Sequence, residues 1–229
     1  MTVLTATPPS TETQVTAIAA SSLEQTQTTM PIDDVLWRIS VDRYHQMIKT
    51  GLLTDDDPVE LLEGMLIQKM PKNPAHTLVT GLLLDNLPRL IPSGWHLNFQ
   101  EPVTTSTSEP EPDVAIVRGT RFDYRDRHAS PEDTALIMEV ADATLRRDRS
   151  LKKQLYARAG VPVYWIINLI KLQIEVYTEP DQQSTPPDYR QRHIYRGADQ
   201  IPVVLDGKEV GQILVSDILP PQLANKTEE

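Results

Sequence analysis

The stretch ALIMEVADATLRRDRSLKKQLYARAGVPVYWIIN, residues 135–168, predicts a buried strand, a helix and a second buried strand. Its two ends, residues 135–141 and 163–168, are almost entirely apolar, as in strands that are covered on both faces. Residues 144–159 between them are predicted to form a helix that Gly160 closes. This order indicates a right-handed crossover and a parallel strand pair at the centre of a sheet.

Glu139 interrupts the first apolar run. A carboxylate that is taken from water without a partner is costly, so it is normally paired, protonated or bound to a metal. A buried salt bridge to Arg146 or Arg147 is the simplest explanation. A metal ion is the other, and the apolar run by itself does not choose between them.

The flanking sequence extends the sheet and adds helices. A helix is predicted from Ser40 to Gly51, with Tyr44 and Met47 facing the core, and another over residues 75–91 with Leu78, Leu82, Leu83 and Leu87 at helical spacing. Residues 59–62 and 65–70 predict a hairpin. Further strands are predicted at about 95–104, 113–118, 172–178, 190–196 and 210–214, the last three as an antiparallel extension of the sheet.

These elements predict one α/β domain over residues 31–219, with a mixed β-sheet and flanking helices. Residues 1–30 are rich in Thr, Ser, Ala and Gln, and we expect a disordered N-terminal tail. Residues 220–229 are expected to form a flexible C-terminal tail.

Composition limits the classes of function. With 32 acidic and 22 basic residues the formal charge is −10, so binding to nucleic acid would need a local basic patch. The best patch is 118–128, with Arg118, Arg121, Arg125 and Arg127, although Asp123 and Asp126 could instead balance it as a solvated loop. The absence of cysteine excludes disulfides and thiolate zinc sites. No apolar run is long enough for a membrane span and no secretory signal opens the chain, so a cytoplasmic protein is expected.

Two carboxylates are predicted at neighbouring strand ends. Asp113 follows Pro112 at the start of one strand, and Glu139 lies near the end of the next. Hard oxygen ligands of this kind are what Mg²⁺ prefers. Taken alone, a carboxylate such as Asp113, after proline at a strand start, is more often a turn residue than a metal ligand.

Two further charged residues accompany them. Lys152 shares a helical stripe with Asp148 and Tyr156, beside a core stripe through Leu151 and Leu155, and its ammonium could stabilise charge on a phosphate. A solvated Lys152 paired with Asp148 is the alternative. Glu60 lies in the apolar context VELL, which again places a carboxylate in a mostly buried strand.

The ordered set of motifs resembles a known family. Pro112-Asp113, Glu139-Val140 and residues 148–166, DRSLKKQLYARAGVPVYWI, together with VELLEG at 59–64 and Pro74-Ala75-His76, are similar to the cyanobacterial-type putative restriction endonuclease family of the PD-(D/E)xK nuclease superfamily. The resemblance covers about residues 35–180.

The resemblance implies a restriction-endonuclease-like fold and a Mg²⁺-dependent endonuclease, for which Mn²⁺ could substitute. It implies metal binding by Asp113, Glu139 and Glu60, with Lys152 as the catalytic basic residue. The superfamily lysine two residues after the glutamate is here Ala141, so the helix is expected to supply Lys152 instead, and Lys153 points about 100° away. The substrate would be nucleic acid, most simply DNA, and the assembly a homodimer.

Two other functions stay open at this stage. One is a catalytically weak or silent dimeric module that binds nucleic acid or protein. The other is a different metal-dependent hydrolase or a nuclease acting on RNA, because a metal site does not itself choose the substrate.

Overall fold

The computed structural model describes residues 36–219. These residues form ten strands and five α-helices, with short 3₁₀ turns between them. The strands are β1 (Val59–Leu62), β2 (Met65–Gln68), β3 (Trp95–Phe99), β4 (Val114–Arg118), β5 (Thr134–Ala141), β6 (Val163–Asn168), β7 (Gln173–Asp181), β8 (Asp188–Arg196), β9 (Gln200–Leu205) and β10 (Lys208–Leu214). The helices are α1 (Val41–Lys49), α2 (Pro74–Asn86), α3 (Leu145–Arg147), α4 (Lys153–Ala159) and α5 (Val215–Ile218).

A six-stranded mixed sheet forms the centre, in the order β3-β4-β5-β6-β7-β8. β5 and β6 are parallel, and every other neighbouring pair in this sheet is antiparallel. Every residue of β5 and β6 is buried, because both faces of the sheet are covered at its centre. The predicted fold class and the predicted parallel pair are confirmed.

Side chains alternate between the two faces of this sheet. Met138 and Trp165 face the core beneath α2, α5 and the β9–β10 hairpin. Ile137 and Tyr164 face the other core, which contains Tyr156 of the crossover helix. Glu139 pairs with Ile166 and points to the same face as Ile137. The crossover helix therefore covers the face of the sheet on which Glu139 lies.

The crossover helix is not uniform. A π-helical turn, Asp148–Lys152, separates α3 from α4, and Gly160 ends the helix in the left-handed conformation. The stripe of Asp148, Lys152 and Tyr156 is buried, whereas Leu151 is only half-buried. The expectation that the stripe through Leu151 would be the core stripe was therefore wrong for that residue.

Two local signals in the N-terminal half are confirmed. Ser40 caps α1 by accepting a hydrogen bond from the backbone N–H of Arg43. β1 and β2 form a hairpin whose two turn residues, Glu63 and Gly64, both have positive φ, the conformation that two-residue hairpins favour. A Cβ on Gly64 would lie 2.6 Å from the Cβ of Arg38, so only glycine fits there.

Other expectations needed correction. α2 buries Val79 and Leu83, whereas Leu78 is 51% exposed. β3 ends at Phe99 instead of extending to about 104, because Gln100 adopts a positive φ that leaves the strand conformation.

The C-terminal strands also differ from the prediction. β10 does not extend the central sheet but pairs with β9 in a separate two-stranded sheet. The sequence did not indicate β9, since Pro202 lies within it and proline is unusual inside a strand. The predicted tails, 1–30 and 220–229, lie outside the described residues.

Candidate active site

A cavity of about 460 Å³ opens where β4 begins and β5 ends. All four residues predicted for the site, Glu60, Asp113, Glu139 and Lys152, line it. They come from β1, the residue before β4, β5 and the π-helical turn, so four separate parts of the chain meet at one place.

Asp113 and Glu139 are neighbours across the β4–β5 pair. Val114 pairs with Met138 in this antiparallel pair, so Asp113 and Glu139, one residue further along each strand, lie opposite each other. The backbone N–H of Val140 donates to Oδ2 of Asp113 at 2.8 Å, and Nε2 of His76 lies 3.1 Å from the same oxygen. The first turn of α2 thus holds Asp113 from one side and β5 from the other.

The buried Glu139 carboxyl group has two hydrogen-bond donors. Its Oε1 accepts hydrogen bonds from Nζ of Lys152 at 2.9 Å and from the hydroxyl of Tyr156 at 2.8 Å. Within residues 36–219, Lys152, and neither Arg146 nor Arg147, is the ion-pair partner of Glu139: Arg146 is exposed, and Arg147 donates to the main-chain oxygen of Gln68.

Lys152 also reaches the third carboxylate. Its Nζ lies 3.2 Å from Oε2 of Glu60, which in turn accepts from the backbone N–H of Glu111 at 3.3 Å. Lys152 is only 5% exposed, so it is neither solvated nor the simple surface partner of Asp148. One buried ammonium therefore links two carboxylates that are far apart in the sequence.

Burial and neighbouring charges shift the pKa values of Lys152 and Glu139. Burial lowers the pKa of Lys152, but the charges of Glu139 and Glu60 outweigh it, so the pKa is raised and the ammonium stays charged. Burial raises the pKa of Glu139, against the opposing charge of Lys152 and with the negative charges of Asp148 and Asp113 adding to the rise. The rise in the pKa of Glu139 means that its ionised form is disfavoured beside the other carboxyl groups.

The pKa of Asp113 is shifted in the opposite direction, downward. Burial by itself would raise its pKa, but the hydrogen bond and charge of His76, followed by the Val140 N–H, hold the pKa below its ordinary value. Asp113 is therefore held in its ionised form, as a cation ligand has to be.

Whether a divalent cation fits can be judged from the donors. Among residues 36–219, no three His, Asp or Glu side chains converge as a ready-made metal cage. Mg²⁺ does not require one, since it usually keeps several waters and binds one or two carboxylates together with substrate phosphates. The adjacent carboxyl groups of Asp113 and Glu139 fit such an ion.

Sequence reasoning missed several residues of this cavity. In the sequence His76 is marked only by the Pro74-Ala75-His76 motif and Asp148 only by its stripe with Lys152, and nothing marks Gln100 or Glu111. Tyr156 lies on the same stripe, and its hydroxyl contacts Glu139.

Basic side chains also line the cavity. Lys69, Lys72 and Arg147 line the cavity with the acidic residues. Lys69 pairs with Glu111 at 2.9 Å, and Lys72 donates to Gln100. More exposed basic groups and buried carboxyl groups in one cavity form an arrangement suited to a polyanion that meets a cation.

The basic segment 118–128 does not line this cavity. Three of its arginines pair with carboxylates: Arg118 with Asp206 at 2.7 Å, Arg125 with Asp126 at 3.0 Å and Arg127 with Asp133 at 2.6 Å. Arg121 donates to the main-chain oxygen of Leu97. The alternative of a balanced surface loop accounts for these contacts better than a phosphate-binding patch does.

A mixed sheet with flanking helices, with carboxyl groups at adjoining strand ends and a lysine from the crossover helix, is a restriction-endonuclease-like fold. Consistent with this, a putative nuclease from Anabaena variabilis matches with a TM-score of 0.58 at 13% identity, over 79% of this chain and 97% of that one. At this identity the likeness shows the fold alone.

The Uma2 family model, described as "Putative restriction endonuclease", matches residues 41–207. The chain therefore belongs to the Uma2 family, which confirms the family resemblance seen in the sequence. A comparison with curated proteins gave no match. Within residues 36–219, no helix has both the length and the apolar character that crossing a membrane requires.

Proposed function

We propose that this protein is a Mg²⁺-dependent endonuclease that hydrolyses phosphodiester bonds in DNA. The observation that carries the proposal is the buried Lys152 ammonium, held 2.9 Å from Glu139 and 3.2 Å from Glu60 in the cavity that also contains Asp113. Membership of a family described as restriction endonucleases supports the same reaction class.

Asp113, Glu139 and Glu60 would hold the cation. Bound there, Mg²⁺, or Mn²⁺ in its place, would supply a Lewis acid for the scissile phosphate and favour ionisation of the attacking water. The remaining contribution comes from the protein: His76 and the Val140 N–H keep Asp113 ionised and fixed in orientation.

Lys152 has an electrostatic role in this proposal. Its raised pKa keeps it protonated, so it acts as a cation and a hydrogen-bond donor rather than as a base. Its burial preserves that charge from screening by water, which strengthens its attraction for negative charge that develops on a phosphate. Tyr156 holds the Glu139 carboxylate in the orientation that Lys152 needs.

The basic side chains of the cavity support a nucleic-acid substrate. In a chain with a net charge of −10, attraction for a polyanion has to be local, and Lys69, Lys72 and Arg147 provide it at the cavity.

We further propose a homodimer in the cytoplasm, since two copies would present two cavities to the two strands of a duplex. Light scattering coupled to size exclusion would measure the dimer.

Nicking of supercoiled plasmid DNA with Mg²⁺ tests the function. Wild type should nick, and Asp113→Asn should not. Glu109→Gln is a matched control, because Glu109 is also buried, with His45 and Thr104 as its partners, but lies outside the cavity. A folded wild type that leaves DNA intact with both Mg²⁺ and Mn²⁺ would contradict the proposal, and cleavage of RNA alone would change the substrate class.

A further inference from the structure

Asp148 has a buried carboxylate oxygen with no hydrogen-bond partner. The residue is 2% exposed, and its Oδ2 is unpartnered within the part of the chain that the structure describes. Buried polar atoms nearly always have a partner in proteins, whether a protein group, a water or an ion. The free oxygen therefore needs an explanation that the protein atoms do not supply.

The π-helical turn places the Asp148 side chain in the lining of the cavity. Asp148 begins the π-helical turn, a distortion that is often found at functional sites. Thr144 hydrogen-bonds to its carboxylate, and the Tyr164 hydroxyl donates to its main-chain oxygen at 3.2 Å. Both ends of the residue are thus fixed, while Oδ2 is left free.

The nearby cations do not account for the free oxygen. Lys152 directs its ammonium at Glu139 and Glu60. Arg147 donates through Nη1 to the main-chain oxygen of Gln68, and its buried Nε has no hydrogen-bond partner either. Asp148 and its sequence neighbour Arg147 therefore do not satisfy one another, although both line the cavity.

We infer that Asp148 is an additional cation-binding residue of the cavity, with Oδ2 as its ligand atom, directly or through one water. This inference rests on the proposed function. A carboxylate oxygen is the hard donor that Mg²⁺ and Mn²⁺ take, and Asp148 lines the same cavity as Asp113 and Glu139. No motif of the sequence assigned it such a role.

Binding of Mn²⁺ without nucleic acid provides the test. Electron paramagnetic resonance of free Mn²⁺ would measure the Kd of wild type, Asp148→Asn and Asp142→Asn. Asp142 is the matched control, because it bonds to Asn73 nearby but does not line the cavity. We expect Asp148→Asn to weaken Mn²⁺ binding by about 10-fold or more, as loss of a ligand or its support does, and Asp142→Asn to leave it unchanged.

The outcomes separate this inference from the proposed function. Equal Mn²⁺ affinity in wild type and Asp148→Asn, or equal weakening in both variants, overturns the role of Asp148 and leaves the nuclease proposal standing. A wild type that neither binds Mn²⁺ nor nicks plasmid overturns both.

A second measurement uses wild type alone, in case Asp148→Asn does not fold. Fe²⁺ with ascorbate and peroxide cuts the polypeptide beside a bound metal. Cuts near residue 148, together with cuts near 113 and 139, would support the inference. Cuts confined to the segments around 113 and 139 would overturn it.

Discussion

Nζ of Lys152 lies 2.9 Å from Oε1 of Glu139, joining the crossover helix to the strand that precedes it. Because Ala141 occupies the position two residues beyond Glu139, β5 itself offers no ammonium there. The crossover helix supplies the ammonium instead, and the same Nζ lies 3.2 Å from Oε2 of Glu60.

Replacing Lys152 by Met should lower the plasmid-nicking rate by about 100- to 1000-fold, the loss expected when one buried charge-stabilising donor is removed. Lys153→Met is the matched control, since Lys153 pairs with Asp188 and does not line the cavity. Similar losses in both variants would show that general positive charge, rather than the position of Lys152, supports the reaction.

Mg²⁺ should stabilise the folded protein in the absence of DNA, because an ion that binds only the native state adds to the free energy of unfolding. The gain is about 2.7 kcal/mol at 100 times the Kd. Thermal unfolding over a Mg²⁺ titration would measure it. The shift should vanish in Asp113→Asn and persist in Glu109→Gln, and an equal shift in both variants would place the ion elsewhere.

Tyr156→Phe should reduce the free energy of unfolding by about 1.5–3 kcal/mol, because it removes a hydroxyl donor from the buried Glu139 carboxylate. Tyr189→Phe provides the comparison, since the buried Tyr189 hydroxyl donates to a neutral acceptor, the main-chain oxygen of Val161. That loss should be nearer to 1 kcal/mol. Urea unfolding measures both, and a smaller loss for Tyr156→Phe would contradict the assigned contact.

Stability should fall in acid because of Glu175. Burial alone would raise its pKa, but hydrogen bonds from Arg149, Asn168 and Gln173 lower it to about 2. A lowered folded-state pKa means that the stabilisation is complete above the unfolded value near 4.5 and is lost as the pH falls through about 2.

The contribution of this group at neutral pH is at most about 3 kcal/mol. Urea unfolding at a series of pH values between 6 and 2 would measure it. Glu175→Gln should flatten that part of the pH profile, and an unchanged profile would exclude Glu175 as the titrating group.

The centre of the fold could be predicted because its signals are strong and local, whereas the grouping of Glu60, Asp113, Glu139 and Lys152 follows only from the ordered set of motifs. Continuous apolar runs mark β5 and β6, and Gly160 marks the end of the helix between them. A carboxylate inside such a run, Glu139, is costly enough to indicate a site.

Other features depend on geometry that a linear pattern does not encode. The π-helical turn that buries Asp148 has no marker of its own, and the contact between His76 and Asp113 joins residues 37 positions apart. β9 was not predicted because it contains Pro202. Proline is tolerated in this two-stranded sheet when it faces the side of the strand that has no neighbour, which the sequence does not reveal. Tertiary pairing, rather than local propensity, decides these features.

The parallel pairing of β5 with β6 also sets when the site can exist. Lys152 is encoded between the two strands, and the helix that carries it packs against Tyr164 on β6 as well as against β5. A chain still on the ribosome that has not yet released residue 168 lacks this support. The cavity can therefore be completed only after residue 168 has been synthesised and β6 has paired with β5.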